Sequence, residues 1–422
     1  MQTIFMKGFA AVLTLFALLT LTAAAAPGAE NEPHPNTEAL LRVPIDTNSR
    51  TPSSHVEGVL GSCFPRIHGN DALHFDYTYT GGVFNNARGG AQTKGATAYV
   101  GIFDFGITAD TEKWGLWKNG TFYMHSLFSH GVNPSGYIGD SQGAAVIAYE
   151  TPAQVAEYWY EHQFFDKTLN IRAGKMDAGT DFFYLNAAEN FFNGSGTCVP
   201  TTGIPTAPNN AWGILTHTNL TENICLKFGL FDADADANKF WMSESGNLYT
   251  AYQVDCHHNI FCLPGFAYAG VWYNDSETVN HFGEDRRGNA GYSIGFEQMI
   301  YKADCRNDND LRGLTFFAHF SETHRDRDNF SNRFFGTGFS WLGFFSERPD
   351  DVLGFGIFSC RFDNGFRQTE ALLFDRETVY ELFYHLHLSA DVAVQPMLQY
   401  IVHPGGLYKN SLVPGIGFQV TF

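Results

Sequence analysis

The chain has 422 residues and a net charge of −18, a sign that excludes nucleic acid as a partner because its phosphates would be repelled. Aromatic residues make up 16% of it and charged residues only 17%, with 40 Phe and 43 Gly. No apolar run long enough for a membrane helix follows the N-terminal segment, which excludes a helical bundle and leaves either an exported soluble protein or a membrane crossed by strands.

Residues 1–26 carry Lys7, an apolar run from Gly8 to Leu21, and then small residues from Ala23 to Ala26. A charged start, a short apolar core and a small-residue exit predict a secretory signal peptide, cleaved near Ala24 to Ala26. Residues 27–57 are rich in Pro, Asn, Glu and Thr and read as a flexible periplasmic arm. The barrel domain is expected over 58–422, and the stretch from Val56 to Asn70 at its start has the look of a short helix or plug. From Leu73 onward strand-like runs follow one another, separated by Gly, Asn, Asp and Pro clusters.

These runs begin near residues 73, 96, 120, 154, 168, 211, 224, 247, 265, 291, 312, 333, 352, 378, 391 and 412, about sixteen in all. Several alternate cleanly. Leu73, Phe75, Tyr77 and Tyr79 oppose His74, Asp76, Thr78 and Thr80; Ile224, Leu226, Phe228 and Leu230 oppose Cys225, Lys227 and Gly229. Tyr380, Leu382, Tyr384 and Leu386 oppose Glu381, Phe383, His385 and His387. In the last run Pro414, Ile416, Phe418, Val420 and the terminal Phe422 share one face, and Gly415, Gly417, Gln419 and Thr421 the other. A one-residue slip would turn the polar set into lipid, where an Arg or Lys costs ~2–4 kcal/mol at the midplane. The pattern therefore predicts an all-β fold: a transmembrane antiparallel β-barrel of about 16 strands, with a water-filled lumen. The segment from Thr180 to Asn210 does not alternate, is long for a turn, and is expected to fold inward as a constriction.

Seven Cys lie downstream of the signal, at positions 63, 198, 225, 256, 262, 305 and 360. An oxidising compartment permits disulfides, and an odd number leaves at least one thiol either free or paired with another chain. Cys256 and Cys262 are expected to staple a loop, since Cys256-His257-His258 fits no standard zinc spacing. The acidic run Asp232 to Asp236 reads as a solvated loop. No metal or cofactor is expected, and with no His-Glu-x-x-His present and the His residues scattered without metal spacing, neither is an enzyme.

Several blocks carry a resemblance. One is Trp117-Lys118-Asn119-Gly120-Thr121-Phe122 with Ser135 to Gly143. Another is Arg172-Ala173-Gly174-Lys175-Met176-Asp177. A third joins Tyr380 to Tyr384, Gln395 to Ile401, and His403-Pro404-Gly405-Gly406; the turn Arg348-Pro349-Asp350-Asp351-Val352-Leu353-Gly354 is weaker. Together these resemble the carbohydrate-selective porins of Gram-negative outer membranes, the OprB family. Gly58 to Phe64 departs from it, lacking the Trp-Gly-Gly wording expected there. The resemblance implies a sixteen-stranded outer-membrane barrel that passes small sugars such as glucose, and other small solutes, by diffusion. Phe422, set in outer-membrane lipid, resembles the signal read by the outer-membrane assembly machinery.

A sugar offers hydroxyls that donate and accept, plus an apolar ring face. A channel selective for it needs planar fork donors, carboxylate acceptors and an aromatic surface turned inward. Arg172 meets the first need, with Lys175 and Asp177 following at the strand end. Glu157, Trp159 and Glu161 share one face opposite Tyr158 and Tyr160. Glu381 and His385 share another, with Gln395 and Gln399 on the next run. These ten residues are the expected pore lining. Two other readings stand beside the sugar channel: a general solute or ion porin, and an envelope protein cross-linked through intermolecular disulfides.

Overall fold

The computed structural model describes residues 72–307, 310–324 and 329–422. The signal peptide, the arm, the plug-like stretch before Asn70 and Cys63 lie outside the described residues. Strands β1 (Leu73–Asn85), β2 (Thr97–Asp110), β3 (Gly120–Gly131) and β4 (Ala153–Phe164) begin the wall. Next come β5 (Leu169–Met176), β6 (Ala211–Asn219), β7 (Ile224–Asp232) and β8 (Leu248–Ile260). The second half holds β9 (Leu263–Val279), β10 (Asp285–Lys302), β11 (Gly313–Thr323) and β12 (Ser331–Leu342). It ends with β13 (Val352–Phe362), β14 (Arg376–His387), β15 (Val392–Val402) and β16 (Ser411–Thr421). Each strand pairs antiparallel with its chain neighbours, and β1 closes on β16 through pairs such as Gly82 with Gly417. Closure leaves no open edge, as strands in lipid require.

The expected starts fall close to the observed ones, and the poorly patterned runs near 211 and 352 are both strands. Alternation decides what faces lipid. Tyr380, Leu382, Leu398, Tyr400 and Ile416 lie exposed on the outer surface, while Glu381, Gln399 and Val413, in neighbouring register, are fully buried inside. At the end of the barrel that bears Phe422, Trp341, Phe344, Phe345 and Tyr384 pack edge-on in sequence with ring centroids 4.9, 4.7 and 5.9 Å apart. Aromatic rings in such a row suit the boundary between lipid and water.

The core sits inside the barrel. The connection 177–210 runs across the lumen, as expected, and packs Phe182, Phe183, Leu185, Phe191 and Phe192 against inward wall residues. Phe191 meets Phe317, Phe358 and Phe383 at 5.7, 5.2 and 4.9 Å, each edge-on. Wall glycines make room for these rings. A Cβ on Gly356 would come within 2.7 Å of Phe191, and one on Gly417 within 2.5 Å of Phe192. The small face of the last strand is thus the socket of a phenylalanine.

Among the described residues the cysteines are free, Cys256 and Cys262 included. The expected staple is corrected: Cys256 stands in β8 opposite Ala267, and Cys262 sits in a two-residue hairpin already closed by the ladder between β8 and β9. The run from Asp232 holds its own loop, Asp232 accepting from the Ser243 backbone N–H at 2.5 Å and Asp234 from the Asn247 amide at 3.1 Å.

Candidate functional site: the lumen and its inward loop

The inner faces of β2 to β8 carry a belt of alternating charge. Asp104 lies 3.0 Å from His125, whose other ring nitrogen is 3.5 Å from Glu157. Arg172 on β5 stands opposite Glu161 on β4 in the ladder and donates to its Oε2 from Nε and Nη2, at 3.1 and 3.0 Å. Its Nη1 donates to Asp181 of the inward loop at 2.9 Å, and its guanidinium lies 4.3 Å above the Trp159 ring. The belt continues through His217, 3.3 Å from Asp181, to Lys227, which pairs with Asp255 at 2.8 Å. Buried charges persist only when paired and hydrogen-bonded, and here Arg172 meets Glu161 and Asp181 while Lys227 meets Asp255. Burial pushes the Asp181 carboxyl up, but Arg172, His217 and Lys227 outweigh it and hold this group well below the usual carboxylate range.

Most of the expected lining residues reach the inner face, and they hold the loop there. Glu157 accepts from the Asp177 backbone N–H at 3.1 Å and lies 3.4 Å from the Trp159 indole nitrogen. Trp159 is covered by Arg172 and by Tyr123, whose ring is 4.9 Å away. Tyr158 and Tyr160 face outward, so β4 takes the register that turns Trp159 in. Asp177 starts the loop and ties its two ends together, accepting from Gly179 at 3.0 Å, Thr206 at 2.7 Å and Ala207 at 3.2 Å.

On the far wall, Glu381 accepts the backbone N–H groups of Phe192 and Asn193, each at 2.9 Å. Gln399 donates to Glu381 at 3.2 Å and to the Ala144 carbonyl at 2.8 Å. Gln395 donates to the Asn190 carbonyl at 2.7 Å and has His385 2.7 Å from its oxygen.

Lys175 is a correction. Alternation along β5 puts Arg172, Gly174 and Met176 inside and Lys175 outside, level with Tyr158 and Trp212. Its ammonium donates to the carbonyls of Ala237 and Lys239, at 3.4 and 2.8 Å. The connection 233–247 has folded down over the outer wall, with Phe240 on Tyr158 at 4.4 Å and Trp241 against Trp212 at 4.5 Å. The odd spacing from Arg172 carried this information.

Other loop anchors were not singled out from the sequence. Gln253 accepts from Phe183 at 2.8 Å, Glu297 from Ala187 at 2.9 Å, and Lys227 donates to the Asp181 carbonyl at 2.7 Å. Glu377 collects Ser141, Gln142 and Gly405 from two more connections, at 2.9, 3.0 and 2.6 Å. Lys227 stood on the polar face of its run, so the signal was present. Glu377 stands one residue before the run that was read.

Comparison with known proteins agrees with this arrangement. The sequence profile described as "Carbohydrate-selective porin, OprB family" matches residues 94–422. Porin B of Pseudomonas aeruginosa is 24% identical over 403 residues, covering 82% of this chain and 87% of that protein. A high-pH structure of Pseudomonas putida OprB superimposes with a TM-score of 0.75 at 22% identity, covering 83% of this chain and 94% of the other. Its low-pH counterpart gives 0.56 at 19% identity, over 83% and 93%. The profile spans well over half of the sequence, and the chain belongs to the carbohydrate-selective porin, OprB family.

Proposed function

We propose that this protein is an outer-membrane porin through which small carbohydrates, monosaccharides such as glucose among them, diffuse passively. It acts as a channel and carries out no reaction. Membership of the family supports the substrate class. The single structural observation that carries the reading furthest is the belt around Arg172. A planar guanidinium held between Glu161 and Asp181 and over Trp159 fastens the inward loop to the wall, and the loop narrows the lumen that a solute crosses. Arg172, Glu157, Glu161, Glu381, His385, Gln395 and Gln399 give this narrowing its shape by fixing the loop, and a sugar meets the surfaces they hold in place. Liposomes bearing the purified protein should swell faster in glucose or arabinose than empty ones; equal rates would defeat the reading.

The acidic balance of the chain favours a second component, passage of cations. Reversal potentials in a salt gradient measure it, and ion flow with conductance indifferent to every sugar would leave only a general porin. The leader is removed near Ala24 to Ala26, which N-terminal sequencing of the mature protein checks, and Phe422 serves recognition by the assembly machinery. Cys262 and Cys305 are exposed at the end of the barrel that carries Phe422 and are the thiols placed for intermolecular pairing. Linked multimers on non-reducing gels of native envelopes would reveal it; a monomer band with and without reductant would end the idea.

A further inference from the structure

Away from the charged belt, a cavity of about 260 Å³ opens between the inward loop at 200–203 and the inner faces of β8, β9 and β10. It lies toward the mouth opposite Phe422. Tyr249 and Trp272 form its aromatic wall, with rings stacked at 5.7 Å and 12°. Asn274, Ser276, Asn289 and Asn329 supply amides and a hydroxyl. Among the described residues, no charged side chain lines it.

Two of its polar atoms are left over. The Trp272 indole nitrogen and the Ser276 hydroxyl are buried without a hydrogen-bond partner, and Trp272 is only 4% exposed. A buried polar group without a partner is unfavourable, so a ligand that satisfies both is favoured. The indole is also positioned from outside. A Cβ on Gly291, its ladder partner on β10, would sit 2.7 Å from the indole nitrogen. Asn289 is set from the far side, donating to Asn329 at 2.7 Å and accepting from Thr323 at 3.3 Å.

We propose that this cavity is a saccharide-binding vestibule subsite, taking one neutral sugar ring against Trp272 with its hydroxyls on Asn274 and Ser276. The chemistry excludes the alternatives in turn. An ion would enter without a counter-charge, and a purely apolar ligand would strand the amides. A neutral polyhydroxylated ring with one apolar face satisfies both walls, and the volume sits just below the ~300–1,000 Å³ typical of drug-sized ligands. The subsite concentrates sugar at the mouth before it reaches the belt, and it rests on the carbohydrate-channel reading above.

The test titrates the full-length, detergent-solubilised protein with glucose and with maltose, following tryptophan fluorescence. The same preparation is assayed for glucose-driven liposome swelling. A saturable signal is expected. Asn274→Ala with Ser276→Ala should raise the half-saturating concentration roughly three- to tenfold, the scale of one or two lost hydrogen bonds. Trp272→Phe, which keeps a ring and loses the N–H, should raise it as well, and heat-modifiable migration on gels shows that each variant is folded. Half-saturation unchanged in the folded double variant would overturn the proposal, as would the lack of a saturable signal in a protein whose liposomes still take up glucose. Saturable binding that the double variant weakens, in a protein whose liposomes take up none, would keep the subsite and sink the transport reading.

Discussion

Arg172 shows how much one side chain can be asked to hold. It joins β5 to Glu161 on β4, to Asp181 on the loop, and to the face of Trp159. Removing it leaves two carboxylates buried without their cation, so Arg172→Ala should destabilise the folded barrel by about 3–5 kcal/mol. Urea titration of the heat-modifiable gel shift measures that. Arg172→Lys should recover only part of it, because an ammonium cannot present a planar fork to two acceptors. A different residue carries the pH dependence outside the membrane. Asp351, in the turn 343–351, accepts from Arg348 at 2.5 Å, Tyr384 at 2.8 Å and the His387 N–H at 2.9 Å. Burial works against its charge, yet these donors outweigh it and hold the carboxyl below its ordinary 3.8. A depressed carboxylate contributes stability above its unfolded value and loses it as pH falls through the folded one. The stability gap between the protein and Asp351→Asn should thus be full at neutral pH and close below about pH 4, read from melting curves across that range.

At the scale of elements, strands were legible and the loop's fastening was not. Period-two alternation places a side chain on a face, and that was enough for Glu381, Gln399 and Trp159 to be assigned inward. It says nothing of what waits on the inside. Glu381 read as a free acceptor for a solute and is instead saturated by Phe192 and Asn193, a partnership across nearly two hundred residues. Lys175 failed because a motif was read as a unit while its members alternate. Gly417 read only as small, though its smallness is a seat for Phe192. Two variants isolate this fastening. Glu381→Gln offers an amide where two N–H groups need a carboxylate, and Gly417→Val pushes the phenylalanine off the wall. Each should free the tip of the loop near Asn193, raising single-channel conductance and open-channel noise while the barrel still migrates as folded; conductance equal to the parent's would show that the tip is held elsewhere.

Across the whole molecule, the connection 177–210 is tied by hydrogen bonds or ion pairs to β4, β5, β7, β8, β10, β14 and β15. Those strands lie all round the circumference. A thin-walled cylinder yields most easily by becoming oval, and a chord across it resists that change whichever diameter is compressed. The loop is such a set of chords, and because it also defines the opening, the aperture cannot narrow unless the wall deforms with it. The channel should therefore conduct in proportion to voltage in both polarities, without the closures expected of a loosely tethered loop. Combining Glu381→Gln with Gly417→Val should make those closures appear in planar bilayers. Rigidity of this kind has a price in selectivity by shape alone: a fixed ring cannot close around its solute, so discrimination has to come from the chemistry displayed along the way.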